Sequence, residues 1–260
     1  MKILVAIKQV PERDAQIHIA STGRLAGRWI DEDDLAYSIN EPDAYALEEA
    51  LQLKERLQQG EVIVLCAGPE RVLSTLREAL AKGADRAIHV AVEADDLAAR
   101  DTLGVATLLA DAIRAESPDL ILTGLQSEDL GLGQTGVVLA ELLSIPHATI
   151  ILQVEKTGTG LRVKRELEDG WFQHVDLPLP ALLTIQSGGN KLRYATLMGI
   201  KKAKTKETKT VSAAPAAAPS IALDRVYLPE KQKKTQMLTG TSAEVAAQLV
   251  EKLKFEVRVI

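Results

Sequence analysis

The chain has 260 residues, 46% of them hydrophobic, which suffices for one large core or a core with appendages. Its net charge of −5 provides no basic field for nucleic acid, and with 3% aromatic residues the core must be aliphatic. A single cysteine, Cys66, excludes an intramolecular disulfide and fits a reducing compartment.

The opening MKILVAIK already reads as a strand, Ile3–Ile7, and leaves no room for a signal peptide. No apolar run reaches the ~18 residues of a membrane span, so a cytoplasmic protein without membrane insertion is expected. A polar, hairpin-like excursion runs through Ile17-His18-Ile19 and Arg28-Trp29-Ile30. Asn40-Glu41-Pro42-Asp43 then starts a helix, with Asn40 as its N-cap and Ala46, Leu47, Ala50, Leu51 and Leu53 at helical spacing to Leu57. Glu61–Ala67 is the second strand, closed by Gly68-Pro69, and buries Cys66 as a small hydrophobe in preference to a reactive thiol. A helix from about Arg71 to Ala81 stops at Gly83, Arg86–Val90 is a third strand, and Asp101–Ala115 is the next helix. Strands alternating with helices predict crossover units and a mostly parallel sheet, a Rossmann-like α/β fold.

Asp119–Pro146 is the most informative stretch. Leu120–Thr123 reads as a buried parallel strand; Gly124, Gly131, Gly133 and Gly136 let backbone N–H groups approach a ligand, and Gln134-Thr135-Gly136 begins a helix. A phosphate there would meet free N–H groups, the positive end of the helix dipole and the Thr135 hydroxyl, which predicts nucleotide binding. Gly131–Gly136 also spells GxGxxG, but the dinucleotide fingerprint needs its first glycine directly after a strand and an acid about 20 positions on. Here seven residues separate Thr123 from Gly131, and the motif sits in a late unit of the sheet. A dinucleotide dehydrogenase is therefore rejected, while tight strand–helix packing stays open as the plain reading of these glycines.

After Pro146 the grammar changes. Thr149–Val154, Leu161–Glu166, Trp171–Val175 and Leu182–Ile185 are strand-like with polar turns and no helix between, which predicts an antiparallel extension. Lysines dominate from Lys201, Val211–Pro219 is an Ala/Pro/Ser linker, and Ser242–Leu253 recovers a helical pattern whose apolar face is expected to meet a partner subunit. Within 191–209, seven lysines or arginines face one acid; such a run is either solvated surface or a docking segment. Leu197 and Met198 stand apolar inside it, behind the pliant Ser187-Gly188-Gly189, which favours docking.

Acid–base or nucleophilic machinery is not indicated. The four histidines, His18, His89, His147 and His174, are scattered, Cys66 has no second thiol, and no metal site is expected. GxSxG and GxxxxGK[ST] are missing, which removes the working parts of hydrolase and nucleoside-triphosphatase readings.

Several segments together carry a family resemblance. They are ILVAIKQV, INEPDAYALEEALQLKE, ALAKGADRAIHV, the run Val163–Gly170 with Gln173, Val175 and Pro180–Thr184, and Leu192–Leu197 with Ile200, Lys201 and Lys202. Over nearly the whole chain the sequence resembles the beta subunit of electron transfer flavoprotein, in its AMP-binding, non-bifurcating form. The resemblance implies a Rossmann-like sheet of the adenine-nucleotide alpha-hydrolase-like kind over residues 1–200, including a recognition loop at 187–200. It implies a basic segment, linker and arm over 201–260, whose helix packs on the alpha subunit. It further implies an electron carrier without catalysis of its own: FAD lies mainly in the alpha subunit and a structural AMP in this one. Electrons would come from acyl-CoA dehydrogenases in fatty acid oxidation and pass to the membrane electron transfer flavoprotein:quinone oxidoreductase.

Carried over by position, the cofactor-site residue Ala6 lies at the end of the first strand, Asn40–Asp43 and Ala67 border the adenosine, and Gly124–Thr135, with Gly124, Asp129, Gly131, Gly133, Gln134 and Thr135, wrap the ribose and phosphate. Tyr194, Leu197 and Met198 would dock the dehydrogenase, with Leu197 the anchor. One departure stands out: a family asparagine two places before the threonine is Gly133 here, and an acidic cluster is reduced to Glu128-Asp129. Phosphate binding would then lean on backbone N–H groups, Gln134 and Thr135. Two rivals remain, a stand-alone nucleotide-binding module and a flavin-bifurcating relative with a second FAD and NADH use. Bifurcating relatives have a loop of the type GDTAQVGP where this chain reads Asp129–Gly136.

Overall fold

The computed structural model describes residues 1–19, 30–31, 35–215, 218–221, 223–224, 226–228 and 235–259. By internal contacts the chain divides into a unit Met1–Val226 and a unit Tyr227–Ile260.

In the first unit, β1 (Lys2–Ala6), β6 (Glu61–Gly68), β7 (Arg86–Ala91), β8 (Leu120–Gly124), β9 (His147–Lys156), β10 (Gly160–Glu166), β11 (Phe172–Pro178), β12 (Ala181–Ile185) and β13 (Thr208–Ser212) join one sheet. Its order is β11-β10-β9-β12-β8-β1-β6-β7-β13. Pairing is parallel from β9 across to β13, and antiparallel only where β10 meets β9 and β11. Two small ribbons stand outside it, β2 (Gln9–Pro11) with β5 (Tyr37–Ile39) and β3 (His18–Ile19) with β4 (Ile30–Asp31). The latter pair is the expected hairpin-like excursion, of which Arg28 and Trp29 lie outside the described residues.

Helices cover both faces, as buried parallel strands require. Consecutive side chains of β1 go to opposite faces. Ile3 and Val5 enter one core with α1 (Glu41–Leu57) and α2 (Val72–Lys82). Leu4 and Ala6 enter the other, with α4 (Thr102–Glu116) and α5 (Thr135–Leu143). Gly83 closes α2 at φ +136, and Asp101 caps α4 by accepting the Gly104 N–H at 2.9 Å.

Four details differ from the sequence reading. Leu182–Ile185 is not part of the antiparallel extension: β12 inserts as a parallel strand between β8 and β9, and all five of its residues are buried. Strands β8 and β9 pair with its two edges, while α1 and α5 cover its faces. Short α3 (Ala94–Ala98) and α6 (Leu197–Ala203) were not anticipated. Thr208–Ser212, read as lysine-rich segment and linker, is the edge strand β13 paired with β7, so the first unit extends past residue 200. Of the linker, 216 and 217 lie outside the described residues.

In the second unit, α7 (Ser242–Lys252) begins with a capping box in which Thr241 and Glu244 satisfy each other's backbone N–H groups, and a single wider turn, Leu253–Val257, follows. Val245, Leu249 and Leu253 recur every fourth position along it.

Candidate functional site

The chain runs from β1 through α1 to β6 and α2 to β7, then crosses back to β8 on the other side of β1. The reversal makes the carboxyl ends of β1 and β8 the switch point of the sheet, where open α/β sheets as a class take ligands in a crevice. Asp43, in the first turn of α1, is buried there. One carboxylate oxygen accepts the Lys8 N–H just beyond β1 at 2.7 Å, and the other accepts the Gly124 N–H at the end of β8 at 2.8 Å. A Cβ on Gly124 would stand 2.5 Å from that oxygen and 2.7 Å from the Asp43 nitrogen, so glycine is required for the approach. Burial pushes the Asp43 carboxyl up to about 6, against the opposing pull of the hydrogen bonds from Lys8, Gly124 and Asn40.

Asn40 occupies the N-cap position of α1 but makes no capping bond, which corrects the sequence expectation. Its side chain is engaged across the crevice: Nδ2 donates to the Gln126 carbonyl at 2.9 Å and Oδ1 accepts the Glu128 N–H at 2.9 Å. The Glu41 N–H donates to the Glu128 carboxylate at 3.2 Å. Lys8 Nζ meets the Asp129 carboxylate at 2.6 Å and Ser127 Oγ at 3.4 Å. Burial raises the Asp129 pKa, but the Lys8 charge and the hydrogen bonds outweigh it and hold the group below the usual carboxylate range. The loop after β8 is thus tied to α1 by Asn40 and Glu41 and to β1 by Lys8.

The glycines divide by task. Gly131 and Gly133 turn the loop at φ +63 and +64, in the left-handed region. Gly136 packs: a Cβ there would lie 2.7 Å from Thr184 Cγ2 and 2.8 Å from Thr123 Oγ1, so the plain reading holds at this position. The N–H groups of Gly124 and Gly131 are donated to Asp43 and to the Ser127 carbonyl, which corrects the expectation that every glycine offers a donor to a ligand. Donors remain for a ligand at the start of α5. Its first helical bond runs from Val138 N–H to the Gln134 carbonyl at 3.0 Å, so the N–H groups of Thr135, Gly136 and Val137 have no partner within the helix. Gln134 and Thr135 stand at that opening, with Gln134 Oε1 accepting from Thr102 at 3.3 Å. Ala6 ends β1, paired with Leu65, and Ala67 follows two residues on in β6.

The apolar candidates of the second site come together on α6 and the turn before it. Tyr194, Leu197 and Met198 are 92%, 82% and 63% exposed, so none of them serves the core. Thr196 caps α6 by accepting the Gly199 N–H at 3.0 Å. Arg193, which sequence reasoning left among the recognition residues without a role, reaches back to α1, and so does Asn190, whose Nδ2 donates to the Tyr45 carbonyl at 3.2 Å. Lys8 was missed as well; its partner stands 121 positions away, beyond the reach of any local pattern.

Other chemistry is quiet. Cys66 is fully buried and its thiol is pushed up to about 12 by burial, a structural cysteine and not a nucleophile. Among the described residues no cluster of three or more His, Cys, Asp or Glu could hold a metal, and no helix is long and apolar enough to cross a membrane. A separate open groove of about 620 Å³ between α1 and β9–β11 mixes Arg56, Lys164 and His174 with Glu49 and Glu155, and no set of groups converges in it.

Fold and crevice define a doubly wound α/β protein with its candidate ligand site at the switch point of the sheet. The family model of the electron transfer flavoprotein domain matches residues 28–216. Electron transfer flavoprotein subunit beta of Methylophilus methylotrophus is 41% identical to this chain, covering 96% of it and 97% of the relative. The proteins of the same name from Bacillus subtilis and Homo sapiens are each 35% identical, over 100% of both chains and over 98% and 97% respectively. The chain belongs to the electron transfer flavoprotein family, and so is a subunit of a flavin protein of electron transport.

Proposed function

We propose that this chain is the beta subunit of a cytoplasmic heterodimer whose alpha subunit holds most of the FAD, and that the crevice at β1 and β8 holds an AMP. The observation that carries the reading is the bracing of the β8–α5 loop by Asn40, Asp43 and Lys8, with the α5 donors left over. Ala6, Asn40, Asp43 and Ala67 would border the adenosine. Gly124, Asp129, Gly131, Gly133, Gln134 and Thr135 would enclose the ribose and phosphate, met by the α5 N–H groups and the Thr135 hydroxyl. The residues fit an anion: Lys8 neutralises Asp129, so the loop carboxylate nearest α5 does not repel a phosphate. FAD supplies the electron-carrying chemistry, and this chain contributes binding, orientation and docking without acid, base or nucleophile.

Tyr194, Leu197 and Met198 would form the apolar anchor for an acyl-CoA dehydrogenase, within a basic setting suited to a brief, selective encounter. Residues 1–200 would then carry the nucleotide and recognition functions, and 201–260 would reach the alpha subunit through the apolar stripe of α7. Electrons would leave to electron transfer flavoprotein:quinone oxidoreductase. The test is stopped-flow reduction of the purified heterodimer. Substrate-reduced acyl-CoA dehydrogenase should reduce its flavin rapidly and NADH should not. Rapid reduction by NADH alone would instead mark a bifurcating protein.

A further inference from the structure

Arg193 stands immediately before the exposed trio yet points away from it, into α1. Its Nε and one Nη donate to the two oxygens of Glu48 at 2.8 and 3.0 Å, and both Nη atoms donate to the two oxygens of Glu55 at 2.7 and 3.1 Å. Its backbone N–H adds a longer bond to Glu48 at 3.3 Å. Four of the five guanidinium donors are thereby occupied, so this cation has little left to offer an incoming protein. Glu48 is 4% exposed, a buried carboxylate on the second turn of α1 whose ionised form Arg193 satisfies. Glu55 lies two turns further along the same helix face, so the planar fork spans a fixed length of α1.

The far side of the segment is fixed against α2. A Cβ on Gly199 would stand 2.2 Å from the Ala81 carbonyl oxygen, so α6 touches α2 backbone to backbone. Lys206 donates to the carbonyls of Leu80 at 2.9 Å and Ala84. Between these two attachments lie only Tyr194 to Met198, which carry the three large exposed hydrophobic side chains.

We propose that Arg193, through Glu48 and Glu55, is a positioning residue for protein docking: it fixes the backbone that presents Leu197 and so lowers the ordering cost of the encounter. The proposal rests on the docking reading given above. Ordering one loose side chain at an interface weakens binding by a factor of about 2 to 12, so freeing this short segment should raise the apparent KM for the dehydrogenase by about tenfold. Electron transfer within the formed complex should not change.

The experiment compares Glu55→Gln, Arg193→Lys, Arg193→Met and Leu197→Ala in the intact heterodimer, together with Arg193→Met/Leu197→Ala. Steady-state assays with an acyl-CoA dehydrogenase give KM and kcat, and reduction by dithionite, which needs no docking, serves as reference. Glu55→Gln removes one arm of the clamp without stranding the buried Glu48, which keeps the test open if Arg193→Met folds poorly. Expected are a raised KM for Glu55→Gln and Arg193→Met, partial recovery in Arg193→Lys, unchanged kcat and dithionite rates, and little further loss when Arg193→Met is added to Leu197→Ala. An unchanged KM in Glu55→Gln and Arg193→Met while Leu197→Ala raises it would overturn this inference alone. Independent, multiplying losses in the double variant would overturn it too, by showing direct contact. If Leu197→Ala itself left KM unchanged, the docking reading would fall first.

Discussion

Gly124 and Asp43 are in backbone-to-carboxylate contact: the Gly124 N–H donates at 2.8 Å to an oxygen that a Cβ would approach to 2.5 Å. The contact joins the end of β8 to the first turn of α1, and Asp43 carries it on to Lys8 beyond β1. Gly124→Ala must therefore separate elements that frame the crevice. A loss of about 1–3 kcal/mol is expected from such overpacking. Chemical denaturation of the heterodimer should show it, and bound nucleotide should fall in parallel.

The same carboxylate makes stability depend on pH with a defined sign. Asp43 titrates near 6 in the folded chain against an ordinary 3.8, so the folded state binds its proton more tightly than the unfolded state does. Its contribution is complete below about pH 3.8 and is lost as pH rises through about 6, amounting to at most about 3 kcal/mol. Denaturation midpoints between pH 4.5 and 7.5 should carry this downward component in the wild type, and Asp43→Asn should lack it. Identical pH slopes for the two proteins would show that Asp43 does not titrate in this window.

Thr135→Val removes a hydroxyl from a site whose other α5 donors are fixed by the helix. Nucleotide affinity should weaken by about 0.5–3 kcal/mol, the span reflecting how much phosphate charge the hydroxyl meets. Acid-released AMP per heterodimer should decrease after dialysis, while the alpha-subunit flavin is retained. Full AMP retention would place the phosphate away from Thr135.

Leu197→Ala removes an apolar side chain that touches little of its own protein, being 82% exposed. Melting temperature and flavin content should stay at wild-type values, while dehydrogenase-coupled flavin reduction slows several-fold, as truncation of an anchor costing above ~1 kcal/mol implies. Lost stability with unchanged kinetics would assign Leu197 to folding.

What could be read from the chain followed the range of each signal. The β8 strand, its glycine loop and the start of α5 were legible because an apolar run, φ-permissive glycines and a helix opening follow one another within 17 residues, from Leu120 to Gly136. Cys66 was legible for the same reason, sitting inside the continuous apolar run of β6. β12 was misplaced because Leu182–Ile185 follows two hairpin strands in sequence, and its burial shows only once β8 and β9 pair with its edges and α1 and α5 cover its faces. β13 carries lysine and threonine, as an edge strand can, and looked like linker. Lys8 and Arg193 escaped notice because their partners lie 121 and 145 positions away, where charge pairing leaves no local trace. Asn40 was placed correctly at the start of α1, but its side chain serves the loop across the crevice instead of the helix it begins.

The most direct test is the cofactor stoichiometry of the co-purified heterodimer, released by acid and separated chromatographically. One FAD and one AMP per heterodimer are predicted, with the AMP lost and the FAD retained when Thr135 and Asp43 are substituted together. Two FAD and no AMP would contradict the assignment of the β1–β8 crevice to a nucleoside monophosphate, and FAD alone would leave that crevice without the ligand its geometry favours.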